Sequence, residues 1–218
     1  MSDSTLVHIP AGNATVEGML EIPDGAVGLV LFAHGSGSSR HSPRNNYVAG
    51  VLRQASVGTL LMDLLTPEED RDYSRRFDIG LLTRRLLDAA RRVGAQESTR
   101  KLPLGFFGAS TGAAAALEAA AALGEAARAV VSRGGRPDLA GELALQKVSA
   151  PTLLLVGGHD DGVIDLNQLA YDQLRCRKEM VIVPGATHLF EEPGTLEAVA
   201  SRAADWFVRH LPAPPRPL

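Results

Sequence analysis

Apolar and polar positions first alternate along the chain and then run together. Thr5-Leu-Val-His8 and Ala14-Thr-Val-Glu-Gly-Met-Leu-Glu21 alternate with the two-residue period of half-buried strands, and Pro10-Ala-Gly-Asn13 between them reads as the turn of an antiparallel hairpin. After the turn at Pro23-Asp-Gly25 the pattern changes. Gly28-Leu-Val-Leu-Phe-Ala33, Val57-Gly-Thr-Leu-Leu-Met62, Arg128-Ala-Val-Val-Ser132 and Thr152-Leu-Leu-Leu-Val156 are short, nearly continuous apolar runs, the mark of strands covered on both faces. Glu179-Met-Val-Ile-Val183 completes the series.

Helical periodicity fills the intervals. Helices are predicted over about Asn46–Gln54, from an Asp78 cap to about Val93, through an Ala-rich stretch ending near Leu123, over 138–146, over Asn167–Arg175 and over Thr195–Arg209. In the second of these, Ile79, Leu82, Leu86, Leu87 and Ala90 recur on one face. Residues 64–77 read as a polar connection, and no connection is long enough for a large lid over the strand ends. A hairpin followed by alternating strands and helices predicts an α/β protein: a mostly parallel sheet covered on both faces, with antiparallel strands at the N-terminal edge. Residues 1–210 suit one such domain, and Leu211–Leu218 a Pro-rich tail.

Composition adds exclusions. A net charge of −3 with both signs interspersed gives no reason to expect a nucleic acid or an anionic membrane as partner. The single cysteine, Cys176, rules out an intrachain disulfide and suits a reducing compartment. The first residues lack the basic and apolar regions of a signal peptide, and no apolar run approaches the roughly 18 residues of a membrane span, so a cytoplasmic location is expected.

The chemistry centres on Leu102-Pro-Leu-Gly-Phe-Phe-Gly108-Ala-Ser110-Thr-Gly112 and the Ala-rich helix after it. A strand that reverses into a helix within a few residues forces its central residue into a strained conformation, and glycine two places either side avoids collision. Gly108-x-Ser110-x-Gly112 therefore reads as a nucleophile elbow with a helix N-terminus behind it. Alone, such a motif also fits a helix-capping serine. Its company argues for chemistry. Polar residues follow the other strand ends: His34-Gly35-Ser36, Asp160 and Asp161, and His188. Ligands gather at the carboxyl ends of strands in sheets of this kind.

With His34-Gly-Ser-Gly37, Gly108-Ala-Ser-Thr-Gly112, Gly157-Gly-His-Asp160 and Pro184-Gly-Ala-Thr-His188 in this order, the chain resembles the α/β-hydrolase superfamily and, within it, the small lidless dienelactone-hydrolase-like group. The resemblance covers roughly residues 15–209 and implies the three-layer α/β-hydrolase fold. It implies Ser110 as nucleophile, His188 as base, Asp160 as the triad acid with adjacent Asp161 as the alternative, and His34 as a brace for the oxyanion loop. Dienelactone hydrolases use a cysteine nucleophile where this chain has Ser110, which leaves the acyl-transfer chemistry but not their particular substrate.

A serine hydroxyl needs a base within hydrogen-bond reach. His188 would take its proton, the acid would hold the imidazole tautomer, and the backbone N–H groups of Ser36 and Thr111 would receive the oxyanion. The expected activity is hydrolysis of carboxylic esters or lactones through an acyl-enzyme, with no metal and no cofactor. The alternatives are a non-catalytic scaffold and an acyltransferase with the same triad. The partner is a small ester or lactone; a homodimer is left open. Arg40, His41, Arg44 and Asn45 beside the oxyanion loop, and Arg133 at a strand end, are candidates to grip an anionic substrate group, with Arg44 and Arg133 foremost. Gly35-Ser-Gly37-Ser-Ser-Arg40 falls short of a dinucleotide fingerprint because Arg40 takes the place of the third glycine.

Overall fold

β1 (Thr5–Ala11) and β2 (Ala14–Glu21) form the expected hairpin; β2 spans its alternating segment, but β1 runs on past His8 through Pro10 and leaves only Gly12 and Asn13 as the turn. Pro10 lies inside β1, opposite Thr15, where an edge strand tolerates its missing N–H. The structure is a computed structural model describing residues 4–212. The expected tail begins at Leu211, and its residues 213–218 lie outside the described region.

Six further strands follow: β3 (Leu29–Ala33), β4 (Gly58–Met62), β5 (Leu104–Ala109), β6 (Ala127–Arg133), β7 (Thr152–Gly157) and β8 (Lys178–Val183). They assemble in the order β1-β2-β4-β3-β5-β6-β7-β8. β2 pairs antiparallel with β4, and every pair from β4 to β8 is parallel. The apolar runs are buried because helices cover both faces: β3, β4 and β7 have no exposed position, whereas β8, at the far edge, is mostly half-buried with Glu179 and Ile182 exposed.

Helices α1 (Pro43–Gln54) and α7 (Thr195–His210) pack on one face, against Val30, Phe32, Phe107, Val131 and Leu155. α3 (Ile79–Ala95), α4 (Thr111–Leu123), α5 (Glu142–Lys147) and α6 (Asp161–Gln173) pack on the other, against Leu29, Leu31, Phe106, Val130 and Leu154. Consecutive strand residues thus serve opposite layers. α4 is almost wholly apolar and buried along its length, and its alanines let it lie close to the sheet between α3 and α5.

Two helices begin earlier than their apolar periodicity suggests. α1 starts at Pro43 because Ser42 Oγ accepts from the Asn45 amide and proline at the first position needs no donor. α6 starts at Asp161 but buries only Asn167 and Ala170 fully, so its first turn carries little apolar signal. The connection after β4 is also more ordered than a polar linker. A short helix α2 (Pro67–Asp70) opens with a reciprocal Thr66–Glu69 capping box, and a 3₁₀ turn over Tyr73–Phe77 leads to the Asp78 cap of α3. Among the described residues no helix is long and apolar enough to cross a membrane.

Candidate active site

The strand order fixes where chemistry can occur. From β3 the chain moves outward to β4, then crosses back to β5 on the other side of β3. The crevice at such a switch point opens at the carboxyl ends of β3 and β5, where His34–Ser36 and Ser110 lie.

Ser110 joins β5 to α4 with φ 50° and ψ −124°, a conformation that costs a non-glycine residue on the order of 1–3 kcal/mol. Its surroundings hold it there. The Ser110 amide donates to the Arg133 carbonyl at 3.3 Å, and its carbonyl accepts from the Ala113 and Arg136 amides, both at 3.0 Å. The flanking glycines are required by contact. A Cβ on Gly108 would lie 2.4 Å from Ala113 Cα, and one on Gly112 would lie 2.2 Å from the Ala33 carbonyl oxygen.

The Gly112 contact also draws the loop after β3 against the start of α4. That apposition brings Ser36, exposed on its loop, near Thr111, the first residue of the helix. Neither amide is used by a backbone acceptor among the described residues. His34, buried behind them, donates from Nδ1 to the Gly35 carbonyl at 2.9 Å and accepts the Leu64 amide at Nε2 at 3.0 Å. Both ring nitrogens are therefore occupied, and burial pushes the imidazole pKa below its usual 6.5. His34 is a neutral clamp between the loops after β3 and β4.

β7 and β8 end beside one another. A Cβ on Gly157 would lie 2.5 Å from the Ala186 carbonyl oxygen and 2.7 Å from that of Thr187. The Gly158 and His159 amides donate to the Val183 and Ala186 carbonyls, each at 2.9 Å. This tight seam brings Asp160 Oδ2 to 2.6 Å from His188 Nδ1. Asp161 instead starts α6 and is exposed. The Asp160 contact fixes the proton on Nδ1 and leaves Nε2 of His188 free to accept one. Ser110 Oγ and the His188 ring make no direct hydrogen bond; apo contacts between such groups are commonly looser than in a substrate complex.

Three residues that sequence reasoning did not single out steady the His188 loop. Glu192 accepts from Thr187 through both its amide, at 3.1 Å, and its hydroxyl, at 2.7 Å, and these bonds hold the carboxyl below its usual pKa. Phe190 is buried with φ 55° and pins the turn to the core. A threonine and a glutamate five positions apart are too common to signal this.

The arginines divide sharply. Arg40 is committed to structure: its guanidinium pairs with Asp63 and, at 2.5 Å, with Glu17. His41 is exposed on the same loop. Arg44, in the first turn of α1, reaches the exposed Glu191 at 3.1 Å. Arg133 ends β6 beside the elbow, buried, with no carboxylate partner among the described residues. Burial, with Arg44 nearby, brings its pKa down to about 10, so it remains charged at neutral pH. Among the described residues no group of three His, Cys, Asp or Glu side chains gathers to hold a metal ion.

No protein-family model matches the chain. Among solved structures, the dienelactone hydrolase of Anabaena variabilis is 55% identical, superposes with a TM-score of 0.93, and the match covers 96% of this chain and 99% of that one. The chain belongs to the dienelactone-hydrolase-like α/β-hydrolases. The same fold is shared at much lower identity: Est1E of Butyrivibrio proteoclasticus is 14% identical with a TM-score of 0.80 over 94% of this chain and 98% of its own. Two Mycobacterium tuberculosis relatives, from different strains and both provisionally named phosphoribosyl transferases, are 57% identical over 208 residues, or 95% of this chain. The match takes in 47% of each, so the chain spans about half the length of the curated relatives it matches.

In this dienelactone-hydrolase-like chain the cysteine is remote from the elbow. Cys176 precedes β8 and sits 3.6 Å from Thr152 Oγ1 at the amino end of β7, and burial raises its thiol pKa. A cavity of about 590 Å³ also lies at the amino ends of the strands, lined by Arg128, Pro151, Arg209 and His210. It is at the opposite end of the sheet from Ser110.

Proposed function

We propose that the protein is a serine hydrolase that cleaves carboxylic esters or lactones. The observation that carries this is the strained Ser110 elbow, φ 50°, held at the switch point of the sheet with the hydrogen-bonded Asp160–His188 pair on the neighbouring strand ends. Strain of this kind persists where the surroundings over-determine it, and it raises the hydroxyl above the sheet edge.

In the proposed cycle Ser110 Oγ attacks the carbonyl carbon while its proton passes to His188 Nε2. The Ser36 and Thr111 amides receive the oxyanion. Collapse breaks the bond to the leaving alcohol, which takes the proton from His188. Water, deprotonated by the same ring, then attacks the acyl-enzyme and releases the acid. Asp160 keeps the imidazole in the reactive tautomer and stabilises its cation. Esters and lactones suit this site better than amides because alkoxide leaves more readily than amide nitrogen. The transferase name of the relatives belongs to proteins about twice as long, and the half they share with this chain is the half described above.

The test is labelling by a fluorophosphonate probe and turnover of an ester panel, wild type against Ser110→Ala. Labelling and hydrolysis in the wild type, both lost in the variant, are expected. A Ser110→Ala protein that retains full turnover refutes the assignment, and a wild type that neither labels nor cleaves activated esters favours a binding scaffold.

A further inference from the structure

We propose that the cavity at the amino ends of β6 and β7 is a second ligand site, built around Arg128, for a small organic anion with an apolar body: an alkyl carboxylate or an alkyl phosphate. It lies at the opposite end of the sheet from Ser110 and does not depend on the reading of that residue as a nucleophile.

The argument begins with a break in the register of the sheet. Leu104 of β5 pairs with Ala127 of β6, but the next residue, Gly105, pairs with Ala129. Arg128 is therefore an extra residue in β6, opposite nothing on β5. The two alanines show the consequence. Residues two apart in a regular strand share a face, yet Ala127 packs into the layer of α3, α4, α5 and α6 and Ala129 into that of α1 and α7. A bulge bends its strand and can re-aim a side chain, and in parallel pairs it is rare. This one puts Arg128 into the wall of the 590 Å³ cavity, with Glu125, Pro151, Arg209 and His210 around it.

The surroundings give that arginine little counter-charge. A second cavity, of about 450 Å³, shares Arg128 and Glu125 with the first and is lined further along by Leu102, Leu104 and Leu123, all half-buried. Across the two, among the described residues, the cations are Arg91, Arg100, Lys101, Arg128 and Arg209, and the single carboxylate is Glu125. Of these five cations only Arg91 has an ion-pair partner among the described residues, Asp88. A chain of net charge −3 thus gathers a local excess of positive charge on this face. Arg209, in the last turn of α7, also offsets the helix dipole. Arg128 stands on a bulged strand, outside any helix, and has no such use.

The lining sets the ligand class. Guanidinium forks match carboxylate and phosphate oxygens alike, and the leucines beyond Arg128 suit a hydrocarbon body. Ligand sites commonly combine an apolar wall with a few placed polar groups in this way. No Phe, Tyr or Trp among the described residues lines either cavity to stack a base, which argues against a nucleic acid. The wall itself is tied together. Trp206 donates from Nε1 to the Pro151 carbonyl at 3.3 Å, and its ring lies 4.3 Å, centroid to centroid, from that of His210. Pro151 and His210 both face the cavity, and Trp206 is the chain's single tryptophan.

Equilibrium dialysis of octanoate and of octyl phosphate with wild type, Arg128→Gln and Glu125→Gln gives the affinities, and the emission of Trp206 places the ligand. Wild type should bind at least one of the two anions saturably, with an emission change that follows the same isotherm. Arg128→Gln should weaken Kd by about 10-fold or more. Glu125→Gln, which removes the carboxylate of the cavity, should tighten it by about 2–5-fold. Opposite signs at two neighbouring side chains are what a charge-selecting site gives and a loss of packing does not. Whichever anion binds tighter identifies the carboxylate or the phosphate as the head group. Neutral octanol bound as tightly as either anion, an affinity unchanged in Arg128→Gln, or no saturable binding of either anion overturns the site.

Discussion

At the scale of single residues, burial and partnering separate groups that look alike in sequence. Asp160 and Asp161 are adjacent carboxylates, and either could close a turn before a helix. Only Asp160 meets His188, at 2.6 Å, while Asp161 faces solvent at the start of α6. Asp160→Asn preserves shape but presents an amide that cannot hold the Nδ1 proton in place. The expected loss in kcat is about 10⁴-fold, by analogy with an acid that holds the wrong tautomer when amidated. Asp161→Asn should stay within twofold of wild type. Steady-state kinetics on one activated ester decides between them, and a larger loss in Asp161→Asn would reassign the acid. Arg40, Arg44 and Arg133 make the same point. All three stand beside the proposed site in sequence, yet Arg40 is consumed by Asp63 and Glu17 while Arg133 Nε and Nη1 are buried with no partner among the described residues. No local pattern predicts which arginine a distant glutamate will neutralise.

At the scale of elements, periodicity and turn chemistry located each of the eight described strands, because strands buried on both faces advertise themselves as apolar runs. Boundaries slipped where the cue was polar: the Ser42-Pro43 start of α1, the exposed first turns of α6 and the capping box at Thr66 carry little apolar signal. The glycines at strand ends proved more informative than the helices. Gly157 contributes no side chain to the proposed chemistry, yet the seam between β7 and β8 closes only because nothing projects from it toward the Ala186 carbonyl. Gly157→Val would force the two loops apart and separate Asp160 from His188. The expected result is at least a 100-fold loss of kcat with destabilisation of about 1–3 kcal/mol, since backbone rather than a flexible side chain stands in the way. Far-UV circular dichroism should remain native in shape, because the strands themselves pair below the seam. A Gly157→Val enzyme with wild-type kcat would show that the Asp160–His188 contact does not depend on this approach.

At the scale of the whole molecule, the sheet order was not legible. Nothing in the apolar runs says that β3 lies between β4 and β5, and that placement is what sets His34 at the centre of the sheet's upper edge. There it ties the loop after β3 to the loop after β4, with Asp63 and Asp70 nearby and desolvation dominating over both. The clamp makes global stability depend on pH with a definite sign. In the unfolded chain His34 takes a proton near its ordinary 6.5; in the folded protein its pKa is lower, because a charge there would be desolvated and Nε2 is already accepting the Leu64 amide. The unfolded state therefore binds more protons below about pH 6.5, and stability contributed by neutral His34 is present above that value and lost as pH falls. The slope is bounded by about 1.4 kcal/mol per pH unit for one group. His210 at the end of α7, also held below its usual pKa, adds a slope of the same sign, so the His34 share must be read as a difference. Urea unfolding from pH 7.5 to 5.0, wild type against His34→Gln, provides it. The variant should be less stable at pH 7.5, because its amide replaces the ring imperfectly, and the gap should narrow steadily below about pH 6.5. A gap that stays constant or widens on acidification would mean that His34 is not the neutral clamp between these loops.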